Sequence, residues 1–225
     1  MADQQQSPCR ILIMASGNGS NFQAIIDAIA GGRIPNSKIT RLIVNRGKAY
    51  ATTRADGAGI PWEYFNVISH GFLPKGEKDE KKTAEAREKY DAALADKVLG
   101  LSERPELIVL AGWMYVFSAA FLQPMEDAGI KVINLHPALP GAYDGSHAIE
   151  RQFEDLKAGK VTKGGIMVHY VIVEVDRGEP IMVQEIEWQG EDLPQFEEKV
   201  HSYEHELIAK ATAKVAGEIV QGRAK

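Results

Sequence analysis

Asn134-Leu135-His136-Pro137 and, forty residues beyond the histidine, Asp176 within Val175-Asp176-Arg177-Gly178-Glu179-Pro180 supply an amide, an imidazole and a carboxylate. An enzyme needs those groups to hold a developing oxyanion and move a proton during acyl transfer near neutral pH. Asn134 and His136 stand at i and i+2 after the apolar run Ile130-Lys131-Val132-Ile133, so a strand would turn both side chains to one face. Pro137, which lacks an N–H and fixes its own φ, ends that strand. The pair is thereby presented at a strand's carboxyl edge, where open α/β sheets keep their ligand crevice. An isolated N-x-H-P is more often a capped turn beside a packed histidine; the distant D-x-G-x-P turn is what favours chemistry.

A second candidate is Ser16-Gly17-Asn18-Gly19-Ser20-Asn21, which joins the apolar run Arg10–Ala15 to a helical pattern. A glycine-rich turn opening a helix exposes N–H groups where the helix dipole favours an anion, and Ser20 and Asn21 add side-chain donors. The same turn also caps many ordinary first βα units. Phe22 occupies the third glycine place of G-x-G-x-x-G, and the second strand pattern ends at Val44-Asn45 without the acid that binds a dinucleotide's ribose. Nor does Lys-Ser/Thr follow, as it does in a nucleoside-triphosphate loop. A single monoester phosphate suits this loop better than NAD or ATP.

Such groups need a scaffold, and the first half of the chain alternates strand and helix patterns. Strands are expected at 10–15, 39–44, 61–65 and 106–110, and helices at 20–30, 49–58 and 80–99. This alternation predicts a parallel sheet with helices on both faces. Two apolar strands at 166–174 and 181–188, separated by a Gly/Pro turn, predict an added antiparallel hairpin, and 193–220 predicts a closing helix. The expected fold is α/β: a Rossmann-like open sheet, parallel in its N-terminal part, with a C-terminal hairpin and closing helix. We read 1–225 as one domain, with an N-terminal phosphate-binding half at about 9–125 and a C-terminal catalytic half at about 126–225. Lys75–Lys82 is too charged to bury and is expected to be a mobile loop feeding the long helix.

With 225 residues and 44% hydrophobic content, the chain can bury a sizeable core as one domain or two fused subdomains. A net charge of −5 gives no global basic field and argues against nucleic-acid binding. The single cysteine, Cys9, excludes an intramolecular disulfide and a cysteine-rich metal site, which favours a reducing, cytoplasmic setting. No apolar stretch approaches the ~20 residues of a membrane span, and the polar start Met1–Pro8 lacks the apolar core of a secretory signal. His70, His147, His201 and His205 show no metal-ligand spacing. His169 reads as a packed histidine on an apolar strand, Trp62, Trp113 and Trp188 as core or pocket wall, and Asp27 and Asp91 as solvated helix residues.

The chain resembles the phosphoribosylglycinamide formyltransferases, folate-dependent enzymes of purine synthesis. The likeness runs from Ile11 to about Ala211, through Ser16–Asn21, Val109-Leu110-Ala111-Gly112-Trp113-Met114, Ile133–Pro137 and Val175–Ile181. The paired N-x-H-P and D-x-G-x-P motifs mark 10-formyltetrahydrofolate-using formyl transferases and their hydrolytic relatives; the glycine loop selects the glycinamide branch. The resemblance implies formyl transfer from 10-formyltetrahydrofolate to glycinamide ribonucleotide without a metal, and no nucleic-acid or membrane partner. It makes Asn134, His136 and Asp176 the catalytic set, with Asp176 orienting His136 and favouring its imidazolium. It assigns Gly17, Asn18, Gly19, Ser20 and Asn21 to the substrate phosphate, Arg87 to a further substrate contact, and Glu204 to the ribose. Met114, Tyr115, Val116 and Phe117, with Val173, Glu174 and Val175, would wall the pterin pocket.

Ala138-Leu-Pro-Gly-Ala-Tyr-Asp-Gly145 departs from the family's usual sequence after the histidine and looks like the fungal-type monofunctional branch. Tyr115 stands where arginine is frequent, and Ile166-Met167 where Thr-Ser is. A formyltetrahydrofolate hydrolase would use the same three residues without needing the phosphate loop. A methionyl-tRNA formyltransferase would normally add an RNA-binding domain and a basic surface. A non-catalytic folate or nucleotide binder would keep the pockets without turnover.

Overall fold

The computed structural model describes residues 7–223; Met1 to Gln6, part of the polar start read as lacking the core of a secretory signal, lie outside them. Five parallel strands form its centre: β1 (Cys9–Ala15), β2 (Ser37–Val44), β3 (Trp62–Tyr64), β4 (Leu107–Leu110) and β5 (Lys131–His136). β6 (Gly164–Tyr170) and β7 (Pro180–Ile186) continue the sheet antiparallel, giving the order β3-β2-β1-β4-β5-β6-β7. The helices are α1 (Ser20–Ala30), α2 (Ala51–Gly57), α3 (Glu80–Leu99), α4 (Ala119–Asp127), α5 (Ala148–Lys157) and α6 (Leu193–Gly222).

The central strands read as unbroken apolar runs because both faces are covered. On β1, Ile11, Ile13 and Ala15 join a core built with α1, α2, α5 and α6, while Leu12 and Met14 join a second core under α3 and α4. Tyr90 is the largest side chain wholly inside this second core, and its hydroxyl donates to the Phe65 carbonyl oxygen at 2.9 Å. Helix ends follow their local chemistry. Asp79 caps α3 by accepting from Lys82 N–H at 3.0 Å, and Asp192 with Gln195 forms a reciprocal capping box at the start of α6.

The expected parallel sheet, hairpin and closing helix are all present, with five differences. The charged loop is shorter than expected, because Asp79 caps the chain and Lys81 and Lys82 already lie in the first turn of α3. Two helices go unread in the sequence: Pro124 interrupts α4's pattern, and α5 starts from His147 in the left-handed region. Asp91 is no solvated helix residue; it is 1% exposed and accepts the Ser118 N–H at 2.8 Å at the start of α4. Burial pushes its carboxyl above the usual range, although the bonds to Ser118 oppose this. Trp62 is exposed on the edge strand β3 rather than walling a pocket, and its indole N–H donates to Asp56 at 2.8 Å.

The sixth strand also ends earlier than its apolar pattern, at Tyr170, and Ile172 to Val175 are exposed. The chain turns because Gly178 packs onto the backbone it has just left: a Cβ there would lie 1.6 Å from the Tyr170 carbonyl oxygen and 3.2 Å from His169 Nδ1. No side chain fits without moving the strand or the loop. Gly178→Ala should therefore destabilise the fold by about 2 kcal/mol or more, the scale of forced overpacking, read from its urea midpoint. A variant within ~0.5 kcal/mol of wild type would show that this approach does not constrain the loop.

Candidate active site

The strand order reverses between β1 and β4, so the loops leaving their carboxyl ends part to open a crevice. Ser16 ties the two loops together: its N–H donates to the Gly112 carbonyl oxygen at 3.0 Å, and its hydroxyl accepts the Met114 N–H at 2.8 Å. Beside them β5 carries Asn134 and His136, whose antiparallel partners on β6 are His169 and Met167. Asn134, His136 and Asp176 come together as the motif spacing anticipated.

Asp176 sits at the centre, on a left-handed turn with φ 55°. One carboxylate oxygen lies 3.3 Å from His136 Nδ1 and accepts the Gly145 N–H at 2.8 Å. The other lies 3.4 Å from His169 Nε2 and 3.5 Å from Asn134 Nδ2. Burial alone would raise this carboxyl's pKa, but the close contact with His169, the Gly145 N–H bond and the attraction of the two rings hold it below the usual range. The site contains an anion stabilised by several donors.

His136 and His169 are each 2% exposed. A carbonyl oxygen can only accept, so His136 Nε2–H donates to Ala142 at 3.2 Å and His169 Nδ1–H donates to Tyr170 at 2.8 Å. That leaves His136 Nδ1 facing Asp176, and His169 Nε2 facing Asn134 Nδ2 at 3.3 Å. Burial lowers the His136 pKa more than the Asp176 carboxylate raises it, so the net direction is downward. The expectation that Asp176 keeps His136 as an imidazolium is thus corrected: the carboxylate pulls that way, but desolvation wins. His169, read in the sequence as a packed histidine, is the site residue the motifs missed. Its signal was its place on a strand antiparallel to Asn134.

The loop 138–145 is held down from several sides. Tyr143 hydroxyl donates to Asp155 at 3.0 Å, Arg151 donates to the Asp144 carbonyl oxygen at 2.7 Å, and Arg177 pairs with the Asp144 carboxylate at 2.6 Å. These contacts carry Gly145 N–H to Asp176. Gln152, buried on α5, donates to the Pro137 carbonyl oxygen and accepts from Gly165 N–H, both at 2.9 Å, and so secures the strand end behind His136.

In the glycine loop, Gly19 takes φ 75° and leads into α1. Asn18 is bound through both its carbonyl and its side-chain oxygen to Arg54. Asn21 does not offer its side-chain donor to the loop: Nδ2 donates to Glu204 on α6 at 3.3 Å. Glu204 also accepts from His201 at 3.0 Å, and that bond raises the His201 pKa against the opposing effect of burial. The glycine loop and Glu204 are therefore neighbours, although far apart in sequence. Arg87 lies instead over the β4–α4 loop, 3.7 Å from the Tyr115 ring centroid, and donates to the Val116 carbonyl oxygen at 3.1 Å.

A cavity of about 420 Å³ lies between α4, the start of β5 and the 170–174 segment, with Leu122, Ile130, Val132 and Ile172 among its apolar walls. Its size falls in the range of small-molecule sites. Of the seven residues expected to wall a pterin pocket, Val173 and Glu174 line it. Met114 and Val116 are each 59% exposed, whereas Phe117 is buried, stacked on Phe121 with ring centroids 4.0 Å apart. Sequence reasoning missed the α4 side of the cavity because α4 itself was not read. Among the described residues, no group of three His, Cys, Asp or Glu side chains is arranged to hold a metal ion.

A buried Asn-His-Asp cluster at the edge of a doubly covered sheet, beside a glycine loop and an apolar cavity, defines a class of acyl-transferring enzymes. Residues 9–212 match the formyl transferase family, and the chain belongs to it. It is 45% identical to the phosphoribosylglycinamide formyltransferase of Schizosaccharomyces pombe, over 89% of this chain and 94% of that one. Identity to the Saccharomyces cerevisiae phosphoribosylglycinamide formyltransferase is 40%, over 92% and 96%. Among solved structures, the phosphoribosylglycinamide formyltransferase of Campylobacter jejuni superposes with a TM-score of 0.76 at 28% identity, covering 93% of this chain and 98% of that one.

The electrostatics of the cluster can be tested directly. Asp176→Asn removes the attraction that favours the His136 imidazolium but leaves the ring buried, so its pKa should fall further below the ordinary His value. Linkage gives the matching sign in wild type: below pH ~6.5 the unfolded chain binds this proton more readily, so the His136 contribution to stability declines as pH falls. NMR titration of the ring in both proteins reads the first effect. A His136 pKa unchanged or raised in Asp176→Asn would break the pairing.

Proposed function

We propose that this protein transfers the formyl group of 10-formyltetrahydrofolate to the amine of 5'-phosphoribosylglycinamide, yielding formylglycinamide ribonucleotide and tetrahydrofolate in purine biosynthesis. The observation that carries the reading is the convergence of Asn134, His136 and Asp176 within one buried hydrogen-bonded cluster. Two relatives of nearly the same extent that bear the formyltransferase name support the choice of substrates. The full chain acts as one unit, its N-terminal half taking the phosphate and its C-terminal half the folate and the chemistry. A cytoplasmic setting agrees with Cys9, a buried free thiol whose pKa burial pushes up to about 11. No helix among the described residues is long and apolar enough to cross a membrane.

The primary amine attacks the formyl carbon, and the tetrahedral species carries an oxyanion and a cationic nitrogen. Asn134 Nδ2 has two hydrogens, and its contacts to His169 and Asp176 are long, so one hydrogen turns to the oxyanion. His136 starts neutral because burial lowers its pKa, yet both ring nitrogens face oxygen acceptors. It can therefore take up a proton as negative charge develops beside it. Asp176 steadies that second N–H, and the proton lost by the attacking amine passes through the cluster to the departing folate nitrogen. His169 fixes the Asn134 amide.

The pterin occupies the cavity beside α4, against Val173 and Glu174, with the exposed Met114 and Val116 and with Val175 toward its mouth and Phe117 in the core behind. Gly17 to Asn21 receive the phosphate through backbone N–H groups at the start of α1, Glu204 the ribose, and Arg87 a further part of the substrate.

His136→Ala and Asn134→Ala should each lower kcat about 10²-fold or more, the scale for losing an acid/base group or an oxyanion donor. Wild-type turnover by folded His136→Ala would sink the assignment. Formyl donor supplied with and without glycinamide ribonucleotide separates the rivals: release of formate at a comparable rate without the amine points to a hydrolase, and no turnover with either to a binder.

Gly17 is the clean probe of the phosphate loop, because a Cβ there meets nothing within 4 Å. Gly19, which the sequence alone would choose, is not: with φ 75° and a would-be Cβ 2.8 Å from Ala51 Cβ, its substitution tests folding. Gly17→Val should raise KM for the ribonucleotide by about an order of magnitude, the scale of lost charged hydrogen bonds, with little change in the Kd of a folate analogue. An unaltered KM would argue that the phosphate binds elsewhere.

A further inference from the structure

Arg54 on α2 makes no contact with the catalytic cluster, yet each of its three guanidinium nitrogens donates to the glycine loop or the helix that follows. Nε donates to the Asn18 carbonyl oxygen at 2.9 Å, one terminal nitrogen to Asn18 Oδ1 at 2.8 Å, and the other to Gln23 Oε1 at 3.3 Å. The Tyr50 ring centroid lies 5.1 Å from the guanidinium carbon on one face. One planar group thus fastens the loop backbone, a loop side chain and the first turn of α1. The same helix adds two more constraints: Ala51 N–H donates to the Gly17 carbonyl oxygen at 3.2 Å, and Ala51 packs where a Gly19 side chain would stand.

These contacts decide which polar atoms the loop can show to a ligand. A phosphate needs donors, and the loop's acceptors would repel it. Arg54 takes the Asn18 carbonyl oxygen and Oδ1, and Ala51 takes the Gly17 carbonyl oxygen. The uncommitted polar atom of the Asn18 amide is then the Nδ2 donor. We infer that Arg54 is a positioning residue of the phosphate subsite: it holds acceptors away from the anion and keeps the loop in its anion-receiving shape without touching the ligand. This inference rests on the phosphate reading of Gly17 to Asn21. Lysine cannot replace it, because a single ammonium does not span three acceptors fixed in one plane.

The test measures Arg54→Met and Arg54→Lys with glycinamide ribonucleotide and with the same riboside lacking its phosphate. Both variants should raise KM for the ribonucleotide about tenfold, as expected for losing charged hydrogen bonds that shape a site, with kcat and the Kd of a folate analogue near wild type. With the phosphate-free riboside, wild type and variants should turn over equally, because nothing remains for the loop to hold. Should Arg54→Met not fold, Gln23→Ala removes an acceptor that fixes the guanidinium without touching the phosphate loop, and should raise KM for the ribonucleotide in the same direction while leaving the phosphate-free riboside unaffected. A KM for the ribonucleotide unchanged in the folded variants overturns the inference, as does an equal loss on both substrates. Wild type that handles both substrates alike overturns instead the phosphate reading beneath it.

Discussion

A carboxylate withdrawn from water and facing two imidazoles is the constraint around which this fold is arranged. Isolated, such a charge would be costly enough to protonate or to force the loop open. Here the Gly145 N–H, the Asn134 amide and both rings surround it, and its pKa stays below the usual range. These groups come from three elements: the 138–145 loop supplies Gly145, β5 supplies Asn134 and His136, and β6 supplies His169. The antiparallel pairing of Asn134 with His169, the clamps on Asp144 and the bare backbone of Gly178 all follow from the need to bring those donors to one point.

The same crowding explains why the histidine's protonation was the least legible property of the site. From sequence, a carboxylate near an imidazole argues for a raised pKa, and the carboxylate does act in that direction. What the sequence does not show is how completely β5, β6 and the 138–145 loop exclude water from the ring. That is a tertiary quantity, and it outweighs the pairwise attraction. Asp91 tells the same story, since it was read as a solvated helix residue and is buried against the start of α4.

Local chemistry was legible wherever one element's own residues decided the outcome. The glycine turn before α1, the alternation of the first four strands, the end of β5 before Pro137 and the start of α3 at Glu80 follow from short-range rules. Elements whose pattern is broken were not. Pro124 masks α4, and with it one wall of the cavity; His147 in a left-handed conformation hides the start of α5. Arg54 is likewise an ordinary helix residue until the loop beneath it is in place.

The change from parallel to antiparallel at β6 explains why the cavity lies beside the crevice and not only above it. A parallel neighbour of β5 would deliver the chain to the same carboxyl edge as His136. β6 runs the other way, so Tyr170 pairs with Ile133 and Val171 N–H donates to Val132 at 2.9 Å, toward the far end of the strand. To reach β7 the chain must turn, and on the way back it passes Asn134 and His136 with Asp176. The outward leg of that excursion, 170–174, walls the cavity against α4, and the return leg carries the carboxylate. One loop, forced by strand direction, therefore both walls the apolar cavity and carries the group that charges the site, so the shape of its outward leg bears on the segment that positions Asp176.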